Sequence, residues 1–379
     1  MNLHVYPSNI SNESRIEKIA ESLLKNNIFS EIVIAGKSDK NKNFLLSSGA
    51  MVVVFRGLFE SRNLIFRVVD FLVWYFRILR ASSGWRLECV NAHSLSVLPL
   101  CVLIKTLKGC KLIYDTHELE TETNSTSGIR KLVGKLIEKY LIKYADKTVV
   151  VSGSYADWYE RAYDIERPVV VRNVPKYVPP YKGADLRSEL GFGENDRVFL
   201  YQGLITEGRG IRALLCCFQS LVDSNCHLLV MGYGPLKPLV EERSLICPNI
   251  HLLAPVPPDV VLKYTAVADY GLCFIEATSL SYKFSLPNKL FEYCMAGKPV
   301  IAFDLPEIAN VISEGKCGYV IPEGDMVEMK LAIILASKMG KDYRNMVTSA
   351  KRVASQYCWE AQEAVLIGLY QSLSEGRVK

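Results

Sequence analysis

Short apolar runs alternate along this chain with longer segments in which apolar residues recur every three or four positions. Residues 50–55 are apolar throughout, as expected of a buried parallel strand, whereas residues 13–25 follow the period of a helix. Strands that alternate with helices are typical of parallel sheets that carry helices on both faces. The pattern therefore predicts an α/β fold made of doubly wound parallel sheets.

The alternation breaks at a proline-rich run in residues 175–181. At 379 residues, the chain also exceeds what one ordinary hydrophobic core covers. We therefore predict a Rossmann-like domain over residues 1–175, a linker over 176–184 and a second Rossmann-like domain over 185–357. The remaining residues, 358–379, are predicted to form a terminal helix.

One stretch of the second domain, residues 272–301, combines an apolar strand, a polar loop, a short helix and another apolar strand. Asn288 stands where a helix N-cap is expected, and Gly297 stands where the glycine after a helix is expected. The N-terminus of a helix attracts anions, and Lys289 adds a full positive charge in the first turn. Glu292 lies three residues further on, hence on the same helix face. This arrangement suits a ligand with a phosphate and a hydroxylated group.

The sequence words around this helix, SLPNKLFEY in residues 285–293 and AGKPVI in residues 296–301, resemble those of the retaining family-4 glycosyltransferases. That family has the GT-B fold, in which two Rossmann-like domains face a cleft and the last helix crosses back to the first domain. The resemblance implies that the second domain binds a nucleotide-sugar and the first an acceptor. It also implies that Glu292 holds the ribose hydroxyls of the nucleotide. The neighbouring residues implied to line that site are Ser285, Leu286, Pro287 and Asn288.

This chain departs from the family at a position that often carries a second glutamate, because residue 284 is Phe284. The contact that this glutamate would make with the donor sugar is therefore absent from the pattern. For Glu292, an alternative interpretation is a partly buried carboxylate that a neighbouring residue satisfies.

Two glycine-containing turns follow predicted strands of the second domain. The first contains Gly203, Gly208 and Gly210, and its Arg209 can place a forked guanidinium on phosphate oxygens. It resembles the family's diphosphate-binding loop, although Leu204 replaces a basic residue found there in many members. The second turn contains Gly232 and Gly234; it resembles the family's glycine turn near the nucleotide, and a plain strand-to-helix turn is an equal alternative.

In the first domain, His117 follows a predicted strand and His93 follows the preceding one. A histidine in this place can bind a sugar hydroxyl or transfer a proton, and the resemblance implies that His117 faces the donor sugar. Asp115 and Glu118 flank His117 and can orient it or contact an acceptor. Structural roles in a turn or in the core are the alternative for both histidines.

Composition narrows the class of protein. A net charge of +5 is too small to indicate nucleic-acid binding, and eleven cysteines without a CxxC motif indicate a reducing, cytoplasmic setting. No apolar run reaches the length of a membrane span, and no apolar signal segment precedes the first strand. Residues 64–86 and 129–147 nevertheless combine apolar and basic residues, including lysines at every fourth position from Lys131 to Lys143. These segments indicate either an anionic membrane surface as partner or ordinary solvated helix faces.

The chain contains no Asp-x-Asp, no HxxxH and no cysteine and histidine cluster, so we predict no metal and no cofactor. The prediction is a retaining glycosyltransferase, with His117, Arg209 and Lys289 as catalytic residues and a nucleotide-sugar as co-substrate. The acceptor would be a saccharide or lipid-linked saccharide in cell-surface polysaccharide (O-antigen type) synthesis, at the inner membrane face. A nucleotide-sugar epimerase of the same fold and a binding module without activity are the alternatives.

Overall fold

A computed structural model of the chain describes residues 1–8, 10, 13–37, 43–55, 64–179 and 186–375. Residues 180–184 of the predicted linker and residues 376–379 of the predicted terminal segment lie outside the described residues. The chain divides into two compact units. The first comprises Met1–Arg172 together with Gln362–Lys379, and the second comprises Asn173–Ala361.

The first unit is built on a sheet that has eight strands within the described residues, in the order β3-β4-β2-β1-β5-β6-β7-β8. The strands are β1 (Asn2–Val5), β2 (Ile32–Lys37), β3 (Phe44–Leu45), β4 (Met51–Phe55), β5 (Cys89–Ala92), β6 (Lys111–Asp115), β7 (Lys147–Val150) and β8 (Val169–Val170). Neighbouring strands are parallel except at one edge, where β3 pairs antiparallel with β4. The sequence prediction of a purely parallel sheet missed this edge, because β3 has only two residues and no apolar period can be read from it.

Helices cover this sheet: α1 (Ser14–Lys25), α2 (Leu64–Ser82), α3 (Leu98–Lys108), α4 (Gly128–Leu141) and α5 (Gly153–Tyr163). A 3-10 turn over Leu95–Val97 precedes α3. Ser152 caps α5 by accepting a hydrogen bond from the backbone N–H of Tyr155. Apolar residues of the sheet, such as Leu3 and Val90, are fully buried.

The second unit contains a parallel sheet with six strands among the described residues, in the order β11-β10-β9-β12-β13-β14. They are β9 (Arg197–Leu204), β10 (Cys226–Tyr233), β11 (Ile250–Leu253), β12 (Tyr270–Cys273), β13 (Val300–Phe303) and β14 (Gly318–Ile321). Each described strand pair runs parallel. The order in which the strands follow one another across the sheet changes direction between β9 and β12. Ligands of open α/β sheets bind at such a switch point, beyond the carboxyl ends of the strands.

The helices of the second unit pack on both faces of its sheet, so each face has its own apolar core. They are α6 (Leu186–Glu189), α7 (Ile211–Gln219), α8 (Lys237–Ile246), α9 (Val261–Thr265), α10 (Leu280–Lys283), α11 (Asn288–Met295), α12 (Pro306–Gly315), α13 (Met326–Ser337) and α14 (Lys341–Gln356). The last helix, α15 (Trp359–Glu375), begins in the second unit and belongs to the first from Gln362 onward. The sequence prediction missed the four-residue helices α6 and α10, which are too short for a helical period.

Candidate functional site

Helix α11 is fixed in place by one aromatic side chain. The ring of Tyr293 lies against Gly271 of β12, where a Cβ atom would come within 2.1 Å of the ring. The Tyr293 hydroxyl accepts a hydrogen bond from the backbone N–H of Gln202 and donates to the carbonyl of Leu272.

The predicted N-cap at Asn288 is wrong. Pro287 is the N-cap and makes no side-chain cap hydrogen bond, so the first turn is left with unpaired N–H groups that an anion can satisfy.

Lys289 extends from the first turn of α11 to the end of β9. Its Nζ lies 3.8 Å from the centroid of the Tyr201 ring and would lie 3.7 Å from a Cβ at Gly203. Burial lowers the pKa of Lys289 from its ordinary value of 10.5 to about 7, and the nearby charge of Arg209 acts in the same direction. The Lys289 amine is therefore only partly protonated near pH 7, and a bound anion would favour its charged form.

Arg209 lies in the predicted glycine-rich loop and stacks on an aromatic ring. Its guanidinium carbon is 4.4 Å from the centroid of the Tyr282 ring. Its Nε is buried and has no hydrogen-bond partner among the described residues. A buried donor without a partner costs about 1–3 kcal/mol, which a bound oxyanion would recover.

The glycines of this loop are required by close packing. Gly210 has a φ of +70°, and a Cβ there would come within 2.5 Å of the Phe274 carbonyl oxygen. Gly208 also has a left-handed backbone, at a φ of +75°. These constraints place Arg209 beside the end of β12 and fix its backbone.

Glu292 is partly buried and bound to a neighbour. Its Oε2 accepts a hydrogen bond from Nε2 of Gln202, whose Oε1 accepts another from Thr265. Glu292 also favours the charged form of Lys289, one turn earlier. The structure thus brings Arg209, Lys289 and Glu292 to the same end of the second sheet. No sequence motif marks Gln202, Tyr201 or Tyr282, because their role depends on contacts between distant parts of the chain.

The second glycine turn has a packing role of its own. A Cβ at Gly232 would come within 1.9 Å of the Gly203 carbonyl oxygen, and one at Gly234 within 2.3 Å of the Ile205 carbonyl oxygen. Strand β10 can therefore approach β9 closely only with glycine at both positions. This geometry accounts for Gly232 and Gly234 without a ligand.

The polar loop before α11 completes this end of the sheet. Ser285 donates its hydroxyl to the Tyr282 carbonyl, and Leu286 is buried in the core. Phe284 ends the short helix α10 and is partly exposed. No carboxylate is available at residue 284, as the sequence indicated.

In the first unit, three predicted residues meet at the carboxyl ends of β5 and β6. The Nδ1 of His93 lies 3.3 Å from Nε2 of His117 and 3.3 Å from Oδ2 of Asp115. Asp115 is also paired with Arg15, a residue that sequence analysis missed, at 2.8 Å. Arg15 lowers the pKa of Asp115 well below its ordinary value, against the opposing effect of burial. Glu118 is exposed and contributes its backbone carbonyl to Thr116.

His93, Asp115 and His117 have ligand atoms close enough to hold a metal ion. No sequence motif marks this cluster, because α3 and most of β6 lie between His93 and Asp115 in the sequence. Arg15 already binds both oxygens of Asp115, through Nη2 and Nε. His93 is fully buried, whereas the side chain of His117 is 23% exposed. His117 is thus the member of this cluster that a substrate can reach.

Each of the eleven cysteines is free, and ten of them are buried. Among the described residues, no helix combines the length and apolar character needed to cross a membrane.

Residues 196–337, which lie in the second unit, match the family model described as glycosyl transferases group 1. The chain is 24% identical over 293 residues to a phosphatidyl-myo-inositol mannosyltransferase of Mycolicibacterium smegmatis, covering 76% of this chain and 71% of that protein. It is 22% identical over 326 residues to a chitobiosyldiphosphodolichol beta-mannosyltransferase of Kluyveromyces lactis, covering 75% and 72%.

Solved structures of similar fold cover nearly the whole chain. A sucrose-phosphate synthase from Thermosynechococcus elongatus matches with a TM-score of 0.82 and 15% identity, over 99% of this chain and 100% of that one. The Anabaena protein Alr3699/HepE in complex with UDP-glucose matches with a TM-score of 0.75 and 13% identity, over 98% and 99%. The fold is therefore GT-B, as predicted, and the matches together support a glycosyltransferase.

Proposed function

We propose that this chain is a retaining, metal-independent glycosyltransferase that moves a hexosyl or N-acetylhexosaminyl group from a nucleoside-diphosphate sugar to an acceptor hydroxyl. The observation that carries the proposal is the convergence of Arg209, Lys289 and the N-terminus of α11 at one end of the second sheet. All three favour an anion, and the family match covers this part of the chain.

The proposed chemistry is electrostatic. As the bond between sugar and diphosphate breaks, negative charge grows on the departing phosphate and positive charge on the sugar ring. Arg209, Lys289 and the α11 N–H groups would stabilise the phosphate, which is the part a metal ion plays in other phosphate sites. The leaving phosphate would take the acceptor proton, so no dedicated carboxylate base is required.

Three further contacts are proposed, the first two of them from the resemblance. Glu292 would accept hydrogen bonds from the ribose hydroxyls in exchange for its bond with Gln202. His117 would bind a sugar hydroxyl, with Asp115 and His93 behind it. Glu118, which is exposed, is the proposed contact for an acceptor.

We further propose that the acceptor is lipid-linked and that the first unit binds an anionic membrane surface. Helix α4 exposes the apolar side chains of Ile129 (82%), Leu132 (61%) and Tyr140 (67%), while its acidic Glu138 is buried. An apolar face turned to solvent is unusual in a monomeric protein and suits a bilayer interface. The names of the two mannosyltransferase relatives also refer to lipid acceptors.

The predicted lysine stripe is only partly available for this role. Lys131 and Lys135 each pair with Glu122 at 2.6 Å, whereas Lys139 and Lys143 are exposed. Apolar contact would therefore supply much of the binding, and anionic headgroups the rest.

Co-sedimentation with neutral vesicles and with vesicles that contain anionic phospholipid tests the membrane proposal. The Leu132→Ser, Leu136→Ser double variant should lose binding, and the wild type should bind better as anionic lipid increases. The matched control is Leu331→Ser, Leu335→Ser, which removes two half-exposed leucines at the same spacing from α13. Equal binding of both variants would refute the role of α4.

Product analysis with UDP- and GDP-sugars tests the enzymatic proposal. Each donor is incubated alone and then with acceptors, and the products are separated by mass and by anomeric configuration. Transfer with retention supports the proposal, whereas epimerised donor without acceptor identifies an epimerase. Donor binding without hydrolysis or transfer identifies a binding module, an outcome that the absence of a carboxylate at Phe284 allows.

A further inference from the structure

A buried chain of polar side chains in the first unit runs from α15 to His117. Its successive donor-to-acceptor distances are 2.7, 2.7, 3.0, 2.8 and 3.3 Å. Its members, in order, are Tyr370, Asn91, Asn2, His4, His93 and His117. Only His117 is accessible, and each other member has an exposed fraction of 3% or less. Buried polar chains of this kind fix the orientation of each member, because an unmade bond is costly.

The hydrogen bonds along these side chains run in one direction, which is set by the tautomer of His4. The Nε2 of His4 faces the amide nitrogen of Asn2 at 3.0 Å and that of Asn91 at 3.5 Å. Amide nitrogens only donate hydrogen bonds, so this Nε2 must accept them and carries no proton. Burial lowers the pKa of His4 well below its ordinary value, so the ring is neutral. The single proton of His4 is therefore on Nδ1.

The proton on Nδ1 of His4 in turn fixes the tautomer of His93. Nδ1 of His4 donates to Nε2 of His93 at 2.8 Å, so His93 must carry its proton on Nδ1. Burial lowers the pKa of His93 as well, which keeps this ring neutral. The Nδ1–H of His93 points at Asp115 and at Nε2 of His117, both at 3.3 Å.

His117 is thereby restricted to one tautomer. A proton on its Nε2 would face the Nδ1–H of His93 at 3.3 Å, and two N–H groups repel at that distance. Asp115 is the weaker partner, because its Oδ2 is 3.8 Å from this Nε2, whereas Nδ1 of His93 is 3.3 Å away. The Nε2 of His117 therefore accepts, and its proton is on Nδ1.

We propose that Tyr370, Asn91, Asn2, His4 and His93 are positioning residues that hold His117 as the Nδ1–H tautomer. In this state His117 donates a hydrogen bond from Nδ1 to an oxygen of the substrate and does not accept a proton there. The identity of that oxygen rests on the proposed glycosyltransferase function, whereas the tautomer does not. The proposal also links α15 to the accessible histidine of the first unit.

This assignment competes with a metal ion bound by His93, Asp115 and His117. A metal needs the lone pair of His93 Nδ1, which holds a proton in the direction derived above. To free it, His4 would have to donate from Nε2 toward two amide donors. A bound cation is therefore an outcome that would overturn the proposal.

The test measures the tautomer directly on the free, full-length protein. Long-range proton–nitrogen correlation spectra of 15N-histidine protein at pH 8 distinguish Nδ1–H from Nε2–H rings. The chain has five histidines, and comparison with His117→Gln assigns the signal. We expect Nδ1–H for His117 in the wild type. An Nε2–H ring, a charged ring, or a signal that changes on adding zinc or a chelator would each overturn the proposal.

Variants test the positioning residues. His93→Phe removes the donor, so His117 should shift toward the Nε2–H tautomer, whereas His93→Asn retains an N–H donor and should restore Nδ1–H. Tyr370→Phe should give a mixture and lower kcat/KM about fivefold, the effect of losing one hydrogen bond. The control is Tyr144→Phe, whose side chain is 55% exposed. A folded His93→Phe protein with an unchanged His117 spectrum would refute the positioning role of His93. A wild-type protein that shows the Nδ1–H tautomer but transfers no sugar would count against the proposed function alone.

Discussion

The affinity of this chain for a nucleotide-sugar should depend on pH through Lys289. Its pKa is lowered to about 7 in the free protein, mainly by burial. A bound diphosphate favours the charged form and should raise the pKa to its ordinary value of 10.5 or above. Binding then requires protonation of Lys289 whenever the pH exceeds about 7.

The size of the effect follows from these two pKa values. Between pH 7 and pH 8.5, the protonated fraction of free Lys289 falls from about one half to about 3%, while the bound form stays protonated. The apparent dissociation constant should therefore rise about 15-fold, or about 1.6 kcal/mol. At pH 8, binding should take up about 0.9 proton per ligand.

Isothermal titration calorimetry in two buffers of different ionisation enthalpy measures both quantities. The probes are UDP-glucose and GDP-mannose, whichever binds more tightly. Lys289→Arg is the matched control, because a guanidinium stays charged across this range and its affinity should not depend on pH. An affinity of the wild type that is constant from pH 7 to 8.5, with no proton uptake, would refute the reasoning.

Three further predictions concern the same end of the second sheet. Arg209→Ala should lower kcat about 100- to 1,000-fold, the usual loss for one electrostatic donor, whereas Arg212→Ala, an exposed arginine of the same segment paired with Glu207, should keep full turnover. Steady-state kinetics measure this difference, and an equal kcat for both variants would show that Arg209 does not stabilise the departing phosphate. Glu292→Gln should weaken nucleotide binding about 10- to 100-fold by calorimetry with little change in kcat, against Glu241→Gln as an exposed control. Lys289→Met should raise the melting temperature of the ligand-free protein at pH 6, where the wild type buries a charge, and this gain should shrink by pH 9; a lower melting temperature at pH 6 would contradict the burial argument.

Local features of the second unit could be predicted from the sequence because their causes lie within a few residues. The limits of α11 follow from Pro287 before it and Gly297 after it, and the latter has the expected left-handed φ of +68°. The spacing of Lys289 and Glu292 puts them on one helix face in any fold. The cap at Asn288 was wrong because proline, with a fixed φ and no N–H, already ends the preceding loop there.

The arrangement in the first unit could not be predicted because it joins distant residues. Arg15 and Asp115 are 100 residues apart, and Tyr370 meets Asn91 across 279 residues. No local period or motif marks such pairs. Helix α4 shows the same limit, since its sequence gives an amphipathic pattern but not the direction in which each face points.

The sequence by itself determined the alternation of strands and helices, the two-sheet architecture and the residue types that can bind a phosphate, because these depend on short-range periodicity and turn chemistry. Tertiary structure alone decided the charge state of Lys289 and the proton position on His117. Both depend on burial and on partners from other strands, since the cost of a charge or an unpaired donor is set by what surrounds it.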